Sequence, residues 1–298
     1  MKKLNGCTAV SFGEILWDIL PDAKLPGGAP INVGYHLNHL QVPTIMVSKV
    51  GDDELGKELL NFIASKGLDT SFMQIDSTYH TGTVLATING NEVTYEILQP
   101  VAWDFIQYNI AIQQLVASAP YFIFGSLVAR NEISRQTLFE LLEIASHKIL
   151  DINLRKPHYE KKILEYLMQH ADMLKLNSDE LQLLGEWYNL KGSEKDRMLA
   201  LQDKFHLNTI ITTRGDKGAA ILNDGIYFQH PGFKVQVADT IGSGDAFLAG
   251  FLSKFINAVA IPDALEFACK MGAFVATRHG ACPQYALSDV ENQQFKVV

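Results

Sequence analysis

Apolar residues along the chain follow two rhythms in turn. Short apolar runs, "TAVSFGEIL", "TIMVSKV", "YFIFGSL", "KILDINL", "ADMLKLN", "NTIITTRG" and "GAAILND", have the length and composition of strands. Between them lie segments with the longer apolar repeat of an amphipathic helix. These predict helices near Pro30 to Leu40, Glu54 to Lys66 with Gly67 as its stop, Ser134 to Ser146 and Glu160 to His170. Two more are predicted around Asp245 to Val259 and Asp263 to Thr277. Such alternation predicts an α/β fold, a mostly parallel sheet covered by helices on both faces. In sheets of this kind a ligand binds beyond the carboxyl ends of the strands.

One region breaks the rhythm. "TGTVLATINGNEVTYEIL" reads as two strands of period 2 around Asn89 to Asn91, an antiparallel hairpin set into a βα chain. It is either a sheet-edge meander or a flap over the site. A second hairpin turn is expected at "NDG", Asn223 to Gly225. With no linker, repeat or low-complexity tract, residues 1–298 read as one domain, with small lid segments at about 14–28 and 80–104.

Composition narrows the function more by exclusion than by signal. The chain is 47% hydrophobic and 19% charged, enough for a large buried core. A net charge of −8 without a Lys/Arg stripe offers no surface to nucleic acid or an anionic membrane. The longest uncharged apolar runs, such as "YFIFGSLVA", fall short of a bilayer span. Cys7, Cys269 and Cys282 form no C-x-x-C pair, which argues against a disulfide framework and a zinc site. "MKKLNGC" has the Leu-x-Gly-Cys spacing of a lipoprotein cleavage site, but Asn5 and Gly6 interrupt the apolar region a signal requires. The expected location is the cytoplasm.

Chemistry concentrates in "DTIGSGDAF", Asp239 to Phe247, just before the apolar helix "AFLAGFLSKFINAVA". Backbone N–H groups in the first turn of a helix lack intrahelical partners, and with the helix dipole they form an anion site. Small residues at Gly242, Ser243 and Gly244 let a phosphoryl group approach that backbone. A carboxylate at Asp245 would repel the anion unless it faces a hydroxyl about to attack it, whose proton it would accept. The plainer reading is an Asp N-cap on a buried helix. Two other patterns carry nothing. "GDDELGKE" imitates a P-loop but places Glu58 where Ser or Thr must bind magnesium, so it reads as a helix start. The nine histidines show no metal-ligand spacing.

The stretch resembles the second signature of the PfkB, or ribokinase-like, carbohydrate kinases, usually D-T-x-G-A-G-D, with Ser243 in place of the common Ala. "LPGGAPINVGYHLNHLQV" resembles the first signature, through Gly27, Gly28 and Asn32. "GEILWDILP" places Asp18 after the first strand, where the family has its sugar-binding aspartate. "KLNSDE" is similar to the N-x-x-E motif through Asn177 and Glu180, a spacing that is also a helix capping box. "TRGDKGA" is similar to the nucleotide-side T-x-G-x-x-G through Thr213, Gly215 and Gly218. These motifs stand in the family's order.

The resemblance implies a three-layer α/β/α sandwich with a small β lid, and transfer of the ATP γ-phosphate to a sugar hydroxyl. It implies that Asp245 is the catalytic base and that Gly242, Ser243 and Gly244 form the anion hole, Gly244 also touching nucleotide. The sugar would lie against Asp18, Gly27, Gly28 and Asn32, and the nucleotide against Asn177, Thr213, Gly215 and Gly218. Glu180 would meet magnesium through water. Potassium, found in many relatives, would lie between Asp239–Ile241 and the "RHGACPQ" loop at Gly280. In "LDINLRKPHY", strand alternation would put Asp151, Asn153 and Arg155 on one face, as pocket residues or as a structural salt-bridged triad. In the pocket reading Asn153 and Arg155 bind substrate, Arg155 bridging it to phosphate.

Several stretches resemble the fructokinase branch: "GEILWDILPDAKLPGGAPINVGYH", "AWDF" and "FGSLVAR" ahead of "DINLR". The expected reaction is therefore phosphorylation of fructose at its primary hydroxyl, by a monomer or homodimer. A kinase for 2-keto-3-deoxygluconate or another sugar is the alternative, and a sugar-sensing protein without catalysis is the rival of another class. Only eight residues separate Asp18 from Gly27, so the lid is expected to rest mainly on the hairpin around Asn89 to Asn91.

Overall fold

The computed structural model describes residues 6–20, 23–89 and 92–298; the expected lid tip at Gly90 and Asn91 lies outside them. Strand β1 (Ala9–Phe12) leads through β2 (Leu16–Leu20) and β3 (Ala23–Gly27) to helix α1 (Ala29–His39). Next come β4 (Thr44–Gly51), α2 (Glu54–Ser65), β5 (Met73–Asp76) and the hairpin β6 (Gly82–Asn89) and β7 (Glu92–Ile97). α3 (Ile110–Ser118), β8 (Tyr121–Gly125), α4 (Glu132–Leu142), β9 (His147–Asp151), α5 (Lys161–Gln169) and β10 (Met173–Asn177) alternate regularly. Then follow α6 (Ser178–Trp187), α7 (Glu194–Phe205), β11 (Thr209–Thr213), β12 (Ala219–Asn223) and β13 (Ile226–His230). Helices α8 (Ser243–Phe255), α9 (Ile261–Ala276) and the short α10 (Leu287–Glu291) pack last.

Nine strands form one sheet in the order β13-β12-β11-β10-β9-β8-β1-β4-β5. Every pairing from β11 to β5 is parallel, and only the β11–β12 and β12–β13 pairings are antiparallel. Asp224 and Gly225 both have positive φ, 46° and 79°, as the tight β12–β13 turn requires. Alternating side chains feed two cores. Val10, Phe122, Leu150, Leu174 and Ile210 pack with α3 to α7 on one face. Ala9, Ile123, Ile149, Met173 and Ile211 pack with α1, α2, α8 and α9 on the other. The expected three-layer sandwich is therefore present. Among the described residues no helix is long and apolar enough to cross a membrane.

Several local expectations need correction. The run after Thr8 is a strand only to Phe12, because Gly13 turns the chain at φ 150°, and the residues that follow start a second sheet. Asp18 sits after β1 as expected, within β2 of that second sheet. The short spacing to Gly27 accommodates a hairpin of its own, and the small sheet has the order β3-β2-β6-β7. The small sheet thus consists of both hairpins, joined by the parallel β2–β6 pair. "AWDF" is a buried turn of helix and not a lid segment: Trp103 is fully buried in the main core, and Asp104 is bonded to Arg130 at 2.7 Å. The P-loop imitation is the expected helix start, with Asp53 capping α2 by accepting the Gly56 N–H at 2.8 Å.

Candidate active site

Helix α8 begins at the carboxyl end of the sheet. Its N-cap, Gly242, has φ 74°, and a side chain there would lie 2.5 Å from Ala281 Cβ, so only glycine fits this turn. The Ser243 N–H is drawn back to the Thr240 carbonyl at 3.2 Å, and the Ser243 hydroxyl donates to the same oxygen at 2.8 Å. The hydroxyl that sets this chain apart from the usual Ala is thus consumed within the turn. Among the described residues no backbone carbonyl accepts from the N–H groups of Gly242 and Gly244. The free donors of the expected anion hole are the two glycines, and Ser243 is not one of them.

Asp245 stands in the first turn of α8, half-buried, and its Oδ2 accepts a hydrogen bond from Asn32 Nδ2 at 2.8 Å. Asn32 lies in the first turn of α1, and close α1–α8 packing makes the contact possible. Burial, together with the nearby Asp151 carboxylate, pushes Asp245 up to about 6 against the pull of Lys175, Asn32 and Arg155. The other side of Asn32 is fixed by Cys282. Burial, with Asp245 beside it, pushes that thiol up to about 12, so it stays protonated and donates to Asn32 Oδ1 at 3.4 Å.

The residues expected to hold the sugar are packed on one another. Asp18 Oδ2 occupies the space where a side chain on Gly27 would begin, 2.5 Å from that Cβ position. Gly28, with φ 117°, packs on the Glu14 carbonyl, which a Cβ would meet at 2.4 Å. Burial pushes Asp18 up to about 6, against the opposing Arg155 charge. Arg155 is exposed and acts as the counter-charge of Glu14, Asp18 and Asp245 alike.

The expected alternation of Asp151, Asn153 and Arg155 fails. β9 ends at Asp151, and Asn153 has φ 35°, so the three side chains are not on one face of a strand. Glu180 explains the turn: its Oε1 accepts the Leu154 N–H at 2.7 Å and its Oε2 the Asn177 N–H at 2.7 Å. Asn177 Oδ1 in turn accepts the Glu180 N–H at 2.9 Å, a complete capping box on α6. Each Glu180 oxygen keeps one lone pair, a donor set that suits a hydrated magnesium ion held through water better than direct ligation.

Of the residues expected to meet nucleotide, Thr213 ends β11, paired with Asn177 at the end of β10. Gly215 is exposed with nothing within 4 Å of a Cβ position, whereas Gly218 is buried 2.1 Å from the His230 carbonyl by the same measure. Gly215 can therefore face a ligand, while Gly218 shapes the turn. Asp239 joins the two expected potassium loops, accepting from Ile241 N–H at 2.9 Å and Gly280 N–H at 3.0 Å.

A profile of the pfkB family carbohydrate kinases matches residues 22–286. The chain belongs to that family. It is a carbohydrate kinase, and its fold is ribokinase-like. Similar proteins include fructokinase-2 of Solanum lycopersicum, 28% identical over 94% of each chain. Fructokinase-2 of Oryza sativa subsp. japonica is 29% identical over 92% of this chain and 89% of its own. Among solved structures, a fructokinase from Xylella fastidiosa with bound ATP superposes with TM-score 0.86 at 24% identity, covering 96% of this chain and 98% of its own. A fructokinase double mutant from Vibrio cholerae O395, with fructose, ADP and potassium bound, gives 0.81 at 24%, with the same coverage.

Two polar groups of this PfkB site escaped the sequence reading. Lys175, 7% exposed, donates to Asp151 Oδ2 at 2.7 Å and lies 3.7 Å from a Cβ position on Gly244. Burial alone would depress it, but Asp151, with Asp245 and Glu180 beyond, outweighs burial and holds the ammonium above its ordinary value. A lysine inside the apolar strand "ADMLKLN" was the available signal, since a buried cation requires a partner. Glu14 is the second.

Proposed function

We propose that this PfkB kinase transfers the ATP γ-phosphate to the primary hydroxyl of fructose. The Asp245–Asn32 pair beside the unpaired N–H groups of Gly242 and Gly244 carries the reading. Asp245 accepts the hydroxyl proton as the sugar oxygen bonds to the γ-phosphorus and the bridging P–O bond breaks to release ADP. The Gly242 and Gly244 amides take up charge on the transferring oxygens. Asp18, Asn32, Gly27 and Gly28 hold the sugar, with Asn153 and Arg155 closing on it from the β9 loop. Asn177, Thr213 and Gly215 border the nucleotide, Gly218 supporting the turn. Magnesium, reached from Glu180 through water, would neutralise the phosphate oxygens. The choice of fructose is supported by the fructokinase relatives.

A panel of fructose, ribose, adenosine and 2-keto-3-deoxygluconate, assayed by ADP release, tests the substrate. kcat/KM for fructose should be at least ~10-fold the others, within the range a hydrogen-bonding site achieves. A panel won by the keto-acid would sink the fructose assignment and leave the kinase standing. Potassium is proposed between the Asp239–Ile241 and Gly280 loops that Asp239 ties together. Activity should be higher in potassium than in sodium or choline at equal ionic strength; equal rates in all three would remove this cation.

A further inference from the structure

Glu14 follows β1 at the carboxyl end of the central sheet, between Gly13 and the start of β2. It is 4% exposed, yet its Oε2 has no hydrogen-bond partner among the described residues. A buried carboxyl oxygen left unpaired is costly, and a packing role alone would be served by an apolar residue. Its place is fixed. The Gly28 backbone closes on the Glu14 carbonyl, and the Ala29 N–H at the start of α1 and the residue's own N–H favour the ionised carboxyl against burial.

The surroundings identify what completes it. The Arg155 and Asp245 charges both reach the Glu14 carboxyl, which puts it in the same cluster of charged groups. Glu14, Asp18 and Asp245 all feel the Arg155 charge, and Lys175, which also acts on Asp245, is already paired with Asp151 at 2.7 Å. Such a pocket is rich in acceptors for hydroxyl groups and poor in positive charge for an acid.

We infer that Glu14 is a sugar-binding, specificity-determining residue: its unpaired oxygen takes a hydroxyl of a neutral sugar, and its charge excludes an acidic sugar. The inference rests on the sugar-kinase reading of the site and names a contact that reading leaves open. A neutral polyol satisfies Oε2 and adds no charge. A sugar acid of similar size brings a further negative group to a pocket where Arg155 and Lys175 already serve the resident carboxylates.

The test is Glu14→Gln, which keeps size and hydrogen-bonding capacity and removes the charge. kcat/KM is measured by ADP release at pH 8 for 2-keto-3-deoxygluconate and for the best neutral sugar of the panel. The acid-to-neutral ratio should rise at least ~10-fold over wild type, mainly through KM, with the melting temperature within a few degrees. A ratio within about twofold of wild type overturns the inference and leaves Glu14 as a support for α1. Wild type supplies an independent readout should the variant fold poorly. Burial pushes Glu14 up to about 7, so the acid-to-neutral ratio should fall as pH rises from 6.5 to 8.5. Asp18 and Asp245 are pushed up only to about 6, below this range. A flat ratio counts against Glu14. If no sugar releases ADP, the sugar-kinase reading and the inference fall together; if one does and the ratio stays, only the role of Glu14 falls.

Discussion

Asp245→Asn is expected to lower kcat by ~10²- to 10⁴-fold, the usual contribution of a general base, or about 3–5 kcal/mol of barrier. The substitution preserves the shape of the side chain, and its amide oxygen can still accept from Asn32, so the α1–α8 contact survives. Sugar affinity measured by calorimetry should therefore change no more than a few-fold, because Asp18 and Asn32 still hold the sugar. The pH profile gives a second readout. With Asp245 pushed up to about 6, wild-type kcat/KM should fall as pH drops through that value, since the protonated carboxyl cannot accept the hydroxyl proton. The residual activity of the Asn variant should lack that limb. A variant retaining more than about a tenth of wild-type turnover would remove Asp245 from the role of base.

Lys175→Met should produce the largest loss of stability near the site. The ammonium and Asp151 are both almost fully buried and bonded at 2.7 Å, and Asp151 Oδ1 already lacks a partner. Removing the cation leaves a buried carboxylate with neither oxygen paired, which typically costs about 3–5 kcal/mol. The unfolding midpoint in denaturant should drop accordingly. Adding Asp151→Leu should recover much of the loss, because no charge is then stranded. Asp245 also loses a stabilising neighbour, so the acid limb of any remaining activity should move to higher pH. A single-variant loss below about 1 kcal/mol would mean that the pair behaves as a solvated surface bridge.

Residues whose surroundings are local were legible from sequence. The strand–helix alternation identified the sandwich because each central strand feeds apolar side chains to both faces. Asn177 and Glu180 were legible as a capping box because its partners lie three residues apart. What failed depended on distant chain. The alternation expected for Asp151, Asn153 and Arg155 broke because Glu180 pulls the Leu154 N–H into a turn, a bond across 26 residues. The β2–β3 hairpin was underestimated because Asp18 needs Gly27 only when the two strands face each other. Ser243 could be placed in the turn, but its return to the Thr240 carbonyl appears only with the backbone geometry. α7 was missed as well, a polar helix whose buried residues are only Met198, Leu201 and Phe205.

The Asn32–Asp245 bond spans 213 positions, and β1 lies between strands contributed by the first and second quarters of the sequence. Chain emerging from a ribosome is ordered from its amino end, so α1 is made long before α8 exists to receive it. Until then the buried face of α1 has no mate, and Asn32 has no Asp245 to bond. A nascent or truncated chain ending before α8 can thus gather the sugar-side strands without acquiring the means to spend ATP. The topology makes phosphoryl transfer a property of the finished fold, and it makes the wait for α8 the interval in which exposed apolar surface is most open to aggregation.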